Sequence, residues 1–403
     1  MCVCPISCSY VCVCVCETME QQPVEAALAA VTPKKRDAAY IEKALASAYN
    51  AEKLRIESFQ SDVISQSGEN FCSVIYRIKV TFRKKPQAEL QEQSFILKDL
   101  LPLMAALGSN EKLMYEQVLP ALNQILAKAH ASLGEHKLSA QGITLPEAKI
   151  CVHKIAQFHA ASMLLLQRQP ELPAQLAPSH FINGVTDDFS KVLLIDGTEF
   201  AANMVAGFEG MSSIAAKMKA QLPEVYSARM RETLQPEAAA FQVIVHGDLW
   251  VNNILINAAQ QQAVIVDFQN CHLGSPAIDL LLFFYTSLQL NVLLTEQQSL
   301  LKDYHQSLCH TLTACGYAGN LPSLEQLLNE MERCLFYAYY ALVCEMPICS
   351  VSPEAAKDFN ALTFINAENI LAKRHQLFEN ERVSVSLKAI LPIFEQKGLL
   401  EMP

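Results

Sequence analysis

Apolar residues recur along this chain in two rhythms, one of period two and one of period three to four. The period-two stretches come early. Leu54–Ile64 alternates loosely, and Phe71–Phe82 alternates clearly, with Val74, Tyr76, Ile78 and Val80 on one face. Ser94–Leu100 is a third candidate strand. A helical stretch over residues 33–50, apolar at Ala39, Tyr40, Leu45 and Ala48, precedes them, and another, about Ser109–Leu119, follows. From Pro146 the period lengthens. Ile150, Ile155, Phe158, Ala161 and Leu165 make a helical stripe, in which His159 reads as core packing. Residues 167–235 are proline-punctuated and mostly helical, with Phe181, Phe189 and Phe200 expected in the core and a cleft-facing position as the alternative. Three β-branched runs then interrupt: Val243–Val245, Ile254–Ile256 and Val264–Val266, each separated by polar turns. Beyond Asp279 the pattern is helical to the end. Leu324–Met346 is a long amphipathic helix whose aromatic stripe, Phe336, Tyr337, Tyr339 and Tyr340, is expected to be core, with the lining of a pocket for a flat apolar molecule as the alternative. Strands followed by helices predict an α+β protein with a small β-rich part over 21–130 and a large helical part over 131–403.

Composition narrows the class. The chain has 403 residues, 51% hydrophobic and 18% charged, enough to bury a core in each of two lobes. Its net charge of −10 and lack of a basic block argue against a nucleic-acid partner. No run reaches the roughly 18 apolar residues of a membrane helix; the longest candidate, Leu280–Leu294, contains Gln289 and Asn291. Six of the 14 cysteines precede residue 17, and the rest lack CxxC spacing. This implies free thiols in a reducing compartment, with cytoplasmic location expected. The leader, residues 1–20, alternates Cys and Val without the basic residues of a secretory signal. It is expected to be disordered or an artefact of the gene sequence.

The candidate chemistry sits in Val243–Gln269. Its strands place Asp248, Asn253 and Asp267 at strand ends and loop tips, where they can converge. Phosphoryl transfer needs that set: one carboxylate to orient a hydroxyl and take its proton, and oxygen ligands for magnesium bridging the phosphates. Asp248 fits the base; Asn253 and Asp267 fit the metal ligands. Protein kinases carry H-R-D, an Asn five residues on, then D-F-G. Here Gly247 stands for the Arg and Gln269 for the last Gly, which points away from protein substrates.

With its flanks, HGDLWVNN, then VDFQ, then Gly274-Ser275-Pro276-Ala277-Ile278-Asp279-Leu280, the stretch resembles the ecdysteroid kinase-like family, also called CHK kinase-like. That family lies in the aminoglycoside and choline kinase branch of the protein kinase-like fold. The resemblance implies two lobes, with catalytic loop 246–253 and metal-binding 267–269 in the larger. It implies Lys98 as the ligand of the α- and β-phosphates, steadied by an ion pair with Glu111, and Gly68 in the phosphate-covering loop. ATP and Mg²⁺ are the implied cofactors, and Asp279 would brace the catalytic-loop backbone. The implied partner is a small hydroxylated molecule, an ecdysteroid or another hydrophobic compound, with no nucleic acid or membrane, and the chain is expected to act as a monomer. A choline or ethanolamine kinase is the other enzyme reading; it would need an acidic, aromatic cage, which the sequence does not identify. One departure stands out. Residues 121–145 show neither the strand pair nor the acidic stretch that should form the adenine-binding hinge, so a segment of the family pattern is missing. A pseudokinase-like binding protein is the resulting alternative.

Overall fold

The computed structural model describes residues 2–4, 11–15, 37–49, 51–63, 73–100, 110–126, 142–351 and 367–402. These fall into two compact units, divided after Pro120 rather than after residue 130.

The first unit is built on a five-stranded sheet of order β1-β2-β5-β4-β3. Its strands are β1 (Cys2–Cys4), β2 (Val11–Val15), β3 (Arg55–Val63), β4 (Ser73–Arg83) and β5 (Gln91–Leu100). Two of them lie within the leader, and β2 pairs in parallel with β5. The expected strands are all present. On β4, Ile78, Val80 and Phe82 are buried while Arg77 and Lys79 are exposed, the alternation of a half-buried strand. The apolar face meets helix α1 (Ala38–Ala48), whose Ile41 and Leu45 join Leu54 and Leu97 in one core. Strand β3 is the edge and is exposed along most of its length, which accounts for its loose pattern. The loop holding Gly68 lies outside the described residues.

After the sheet a helical run extends over Glu111–Leu113, widens to a π turn at Met114–Val118, and resumes at Leu119–Leu126. Pro120 has no N–H for a bond to the previous turn, and a widened turn relieves that loss. Most of the suspect stretch 121–145, namely 127–141, lies outside the described residues.

The second unit is helical with two small β-ribbons. Helix α2 (Leu145–Arg168) starts at a capping box in which Glu147 accepts from the Thr144 backbone N–H and hydroxyl. Its predicted stripe is buried. The ribbons are β6 (Val243–Val245) with β9 (His272–Gly274), and β7 (Ile254–Asn257) with β8 (Gln262–Ile265). Helix α3 (Pro276–Ser287) is capped by Ser275, has Pro276 in its first turn, and is buried on all sides. Each large apolar side chain it buries contributes about 1.5–3 kcal/mol. The apolar run Leu280–Leu294 is thus two elements, since α3 stops at Ser287 and α4 (Leu290–Ala314) packs along α2.

Two expectations change. The 324–346 stretch is not one helix: it runs Leu324–Arg333, breaks at Cys334, resumes as α5 (Leu335–Tyr340), and widens at Ala341–Glu345 before Pro347. Phe181, Phe189 and Phe200 are half-buried rather than core. Apolar character alone predicted burial, but each lies beside polar or charged neighbours, His180 for the first two and His375 for the third. Cys151, Cys271, Cys309, Cys315, Cys334, Cys344 and Cys349 are free thiols. Among the described residues no helix is long and apolar enough to cross a membrane.

Candidate active site

Three short strands flank the candidate residues. β6 stops at Val245, and the chain turns through His246-Gly247-Asp248. A 3-10 turn, Val251–Asn253, leads into β7. Asp267 follows β8 after Val266.

The turn is fixed from below by Asp279 on α3. Its Oδ2 accepts from the His246 N–H at 2.7 Å and its Oδ1 from the Gly247 N–H at 2.9 Å. Asp279 is fully buried, and its Oδ2 also meets His159 Nε2 at 3.0 Å. His159 is held in turn by the Tyr304 hydroxyl, 2.7 Å from Nδ1. Burial alone would push the Asp279 carboxyl up. The hydrogen bond and charge of His159, with the charge and backbone of His246, outweigh burial and hold it below its ordinary value. So Asp279 stays an anion in the interior, and α2, α3 and α4 converge on the loop through one carboxylate.

Gly247 is required by this turn. Its φ is +79°, and a Cβ there would stand 2.4 Å from the Asn270 carbonyl oxygen. No arginine could occupy this backbone, which explains the departure from H-R-D.

His246 ties the two halves of the motif together. Its Nε2 lies 2.9 Å from the Val266 carbonyl, so that nitrogen carries the proton and Nδ1 accepts from the Asp248 N–H at 3.3 Å. Its ring stands 5.1 Å from Phe268, which in turn packs 5.8 Å from Phe158 of α2. Asn253 completes the closure. Its Nδ2 donates to the Asp248 carbonyl at 2.7 Å, while its own carbonyl accepts from Val266 N–H at 3.0 Å. Since the nitrogen is engaged, Oδ1 is the atom Asn253 offers to a cation. Asp267 stands in the left-handed region, φ 69° and ψ 62°. Such a conformation costs a non-glycine residue on the order of 1 kcal/mol and clusters at functional sites. The donor set is thus oxygen from Asn253 and Asp267, the hard-ligand chemistry that suits Mg²⁺. Among the described residues no group of three His, Cys, Asp or Glu could hold a metal unaided. A two-ligand site completed by substrate phosphates is the ordinary magnesium pattern.

In the first unit, Lys98 of β5 and Glu111 form the predicted ion pair, Nζ to Oε1 3.3 Å, both side chains buried. Sequence reading placed Asp248, Asn253 and Asp267 in turns beside short strands, paired Lys98 with Glu111 and had Asp279 brace the loop, and the structure shows those positions and contacts. It assigned His159 to packing and missed the role of His246, although the latter lay in the motif itself.

The ecdysteroid kinase-like family matches residues 67–140 and 136–317, well over half of the chain. The chain belongs to the ecdysteroid kinase-like family. Its fold is accordingly the α+β, two-lobed protein kinase-like fold. The family match comes in two pieces that meet at 136–140, inside the stretch where the sequence reading places the missing segment. No curated protein matches the chain by sequence. Among solved structures, an ethanolamine kinase of Plasmodium vivax is similar at 13% identity and a TM-score of 0.42, covering 94% of this chain and 97% of that one. A type I macrolide 2'-phosphotransferase is similar at 13% identity and a TM-score of 0.37, covering 86% and 98%. A choline/ethanolamine kinase family protein of Mesorhizobium loti gives 13% identity and a TM-score of 0.24, covering 83% and 92%. Membership of the ecdysteroid kinase-like family rests on the sequence match, not on these likenesses.

Proposed function

We propose that the chain is an ATP-dependent small-molecule kinase, acting on a hydroxyl of a hydrophobic hydroxylated compound such as an ecdysteroid. The observation that carries the reading is the catalytic turn. A buried anion, Asp279, fixes the backbone before Asp248, while Asn253 closes the same turn and keeps its Oδ1 for a cation. In the reaction, Asp248 accepts the acceptor's hydroxyl proton as the hydroxyl oxygen bonds to the γ-phosphorus. The bond from that phosphorus to the β,γ-bridging oxygen breaks, and ADP leaves. Asn253 and Asp267 hold Mg²⁺, which when bound neutralises phosphate charge, and Lys98, steadied by Glu111, neutralises phosphate oxygens.

A thermal shift with Mg-ATP tests this first. Nucleotide at about 100 times its Kd adds roughly 2.7 kcal/mol of stability. Asp248→Asn is expected to keep that shift and lose turnover, whereas Asp267→Ala loses the magnesium-dependent part. Full activity in Asp248→Asn would refute the assignment of the base. A second reading, a non-catalytic binding protein of the same fold, is favoured by the two-piece family match at 136–140. It predicts no Mg-ATP shift in the wild type.

A further inference from the structure

Trp250 is the largest side chain of the catalytic turn, and the turn does not use it to hold its own shape. From Asp248 to Asn253 burial alternates. Leu249, Val251 and Asn253 are buried, whereas Asp248, Trp250 and Asn252 keep accessible surface. Leu249 and Val251, 0% and 2% exposed, root the loop in the core. Trp250 between them is extended, φ −115° and ψ 174°, and in extended chain successive side chains point to opposite sides. Asp248 and Trp250 therefore share the side of the loop turned away from the core.

The Trp250 backbone is fixed at both ends. Its N–H donates to the Asp248 carbonyl at 3.2 Å, and its carbonyl accepts from the Asn253 N–H at 2.9 Å. The side chain is left over. Among the described residues the indole meets no other ring, and its Nε1–H donates to no protein group. The neighbouring rings are engaged: His246 lies on Phe268, and Phe268 on Phe158. An indole offers a large apolar face and one hydrogen-bond donor. Both stand unused here, two residues from the base.

We propose that Trp250 is a specificity-determining residue of the acceptor site: an uncharged, unsaturated ring lies on its indole, with the ring's hydroxyl at Asp248. Calling that alcohol the phosphoryl acceptor rests on the kinase reading above; the ring-binding claim does not. The Cα atoms of two residues so spaced are at most about 7 Å apart, roughly the breadth of a six-membered ring with its hydroxyl. A ring on the indole thus brings a hydroxyl attached to it, or one carbon away, within reach of the carboxylate. The outward set of the loop is Asp248, Trp250 and Asn252, and its one charge is the base. An ammonium group would pair with that carboxylate and displace the hydroxyl, so the ring is uncharged. Stacked aromatic rings gain more than their area burial, which favours an unsaturated ring over a puckered one of the same size.

The test is direct binding, by calorimetry and without nucleotide, of para-isopropylbenzyl alcohol and of the same alcohol with its ring saturated. Apolar burial alone favours the saturated member, the more hydrophobic of the pair, so a preference for the flat one reports stacking. The wild type is expected to bind the flat alcohol about threefold or more tightly. Trp250 is the chain's single tryptophan, so its emission reads this residue alone. The bound flat ring should shield it from acrylamide quenching. Trp250→Leu, apolar but without a ring face, should bring the ratio of affinities close to one, and Trp250→Phe should keep most of it. A tryptophan that only packs would move both affinities together and leave their ratio unchanged. Equal binding, preference for the saturated ring, no binding of either, unchanged quenching, or an undiminished ratio in Trp250→Leu would each overturn the proposal. The shielding of wild-type Trp250 decides the matter if Trp250→Leu does not fold. A wild type that shifts with Mg-ATP but shows no ring preference fails this inference alone. One whose ring preference depends on Trp250, without a Mg-ATP shift, fails the kinase reading alone.

Discussion

Asp279→Asn should loosen the catalytic turn while leaving its shape almost unchanged. The wild-type carboxylate accepts three buried hydrogen bonds, from the N–H groups of His246 and Gly247 and from His159. An amide keeps one oxygen and turns the other acceptor into a donor. At best two neutral bonds replace three charge-assisted ones, and one buried N–H is orphaned. Charge-assisted bonds contribute about 1.5–3 kcal/mol each and neutral ones about 0.5–1.5, so the loss is on the order of 4–6 kcal/mol. The chain has a single tryptophan, and it lies in this loop, two residues past Asp248. Urea unfolding followed by Trp250 emission therefore reads the stability of this unit at the site. The midpoint should fall well below wild type with the slope unchanged. The pH dependence has a definite sign. The folded carboxyl is held below its ordinary value of 3.8, so its stabilisation is complete above that value and is lost as pH falls through the lower folded one. Asp279→Asn should flatten this acid limb. A Trp250 midpoint equivalent to less than about 1 kcal/mol of loss would refute the brace.

Gly247→Ala should destabilise by at least about 2 kcal/mol in the same Trp250 assay, since it adds a backbone clash to an unfavourable φ. Gly210→Ala, at φ +75° with nothing within 4 Å, isolates the conformational part and should cost about 1 kcal/mol. Asp267→Gly removes left-handed strain and should melt at or slightly above the wild-type temperature, yet lose the magnesium-dependent part of any Mg-ATP shift; a lower melting temperature would argue against strain there. Lys98→Met should leave the buried Glu111 without the Lys98 ammonium, lowering stability by about 3 kcal/mol, and Lys98→Met with Glu111→Leu should recover much of it. Melting curves of the two variants check this, and equal losses would refute coupling.

What the sequence made legible was local. β-Branched runs between polar turns placed Asp248, Asn253 and Asp267 correctly, because a strand end and a turn are set by a few adjacent residues. The Lys98–Glu111 pair was legible only through resemblance, since nothing in either residue's own neighbourhood names its partner 13 positions away. β9 was missed because three residues give no period, and its partner strand lies about 30 residues earlier. The His159–Asp279–Tyr304 chain joins three helices across 120 and 145 positions, and each member, taken alone, looks like a polar residue on a buried stripe.

The aromatic stripe of 336–340 shows where such a reading stops. Periodicity assigns all four rings to one apolar class, and on that basis core is the reasonable answer. It is right for Phe336 and Tyr339, which meet Tyr226. It holds for Tyr337 and Tyr340 too, which are equally buried, although Tyr340 also donates its hydroxyl to Glu345. The device that brings Glu345 round is a change in helix pitch just ahead of Pro347. A proline in a helix can be read from sequence; which turn widens to accommodate it depends on packing against α3. The catalytic turn can therefore be predicted from a short motif, while the Tyr340–Glu345 contact depends on a backbone irregularity that no motif announces.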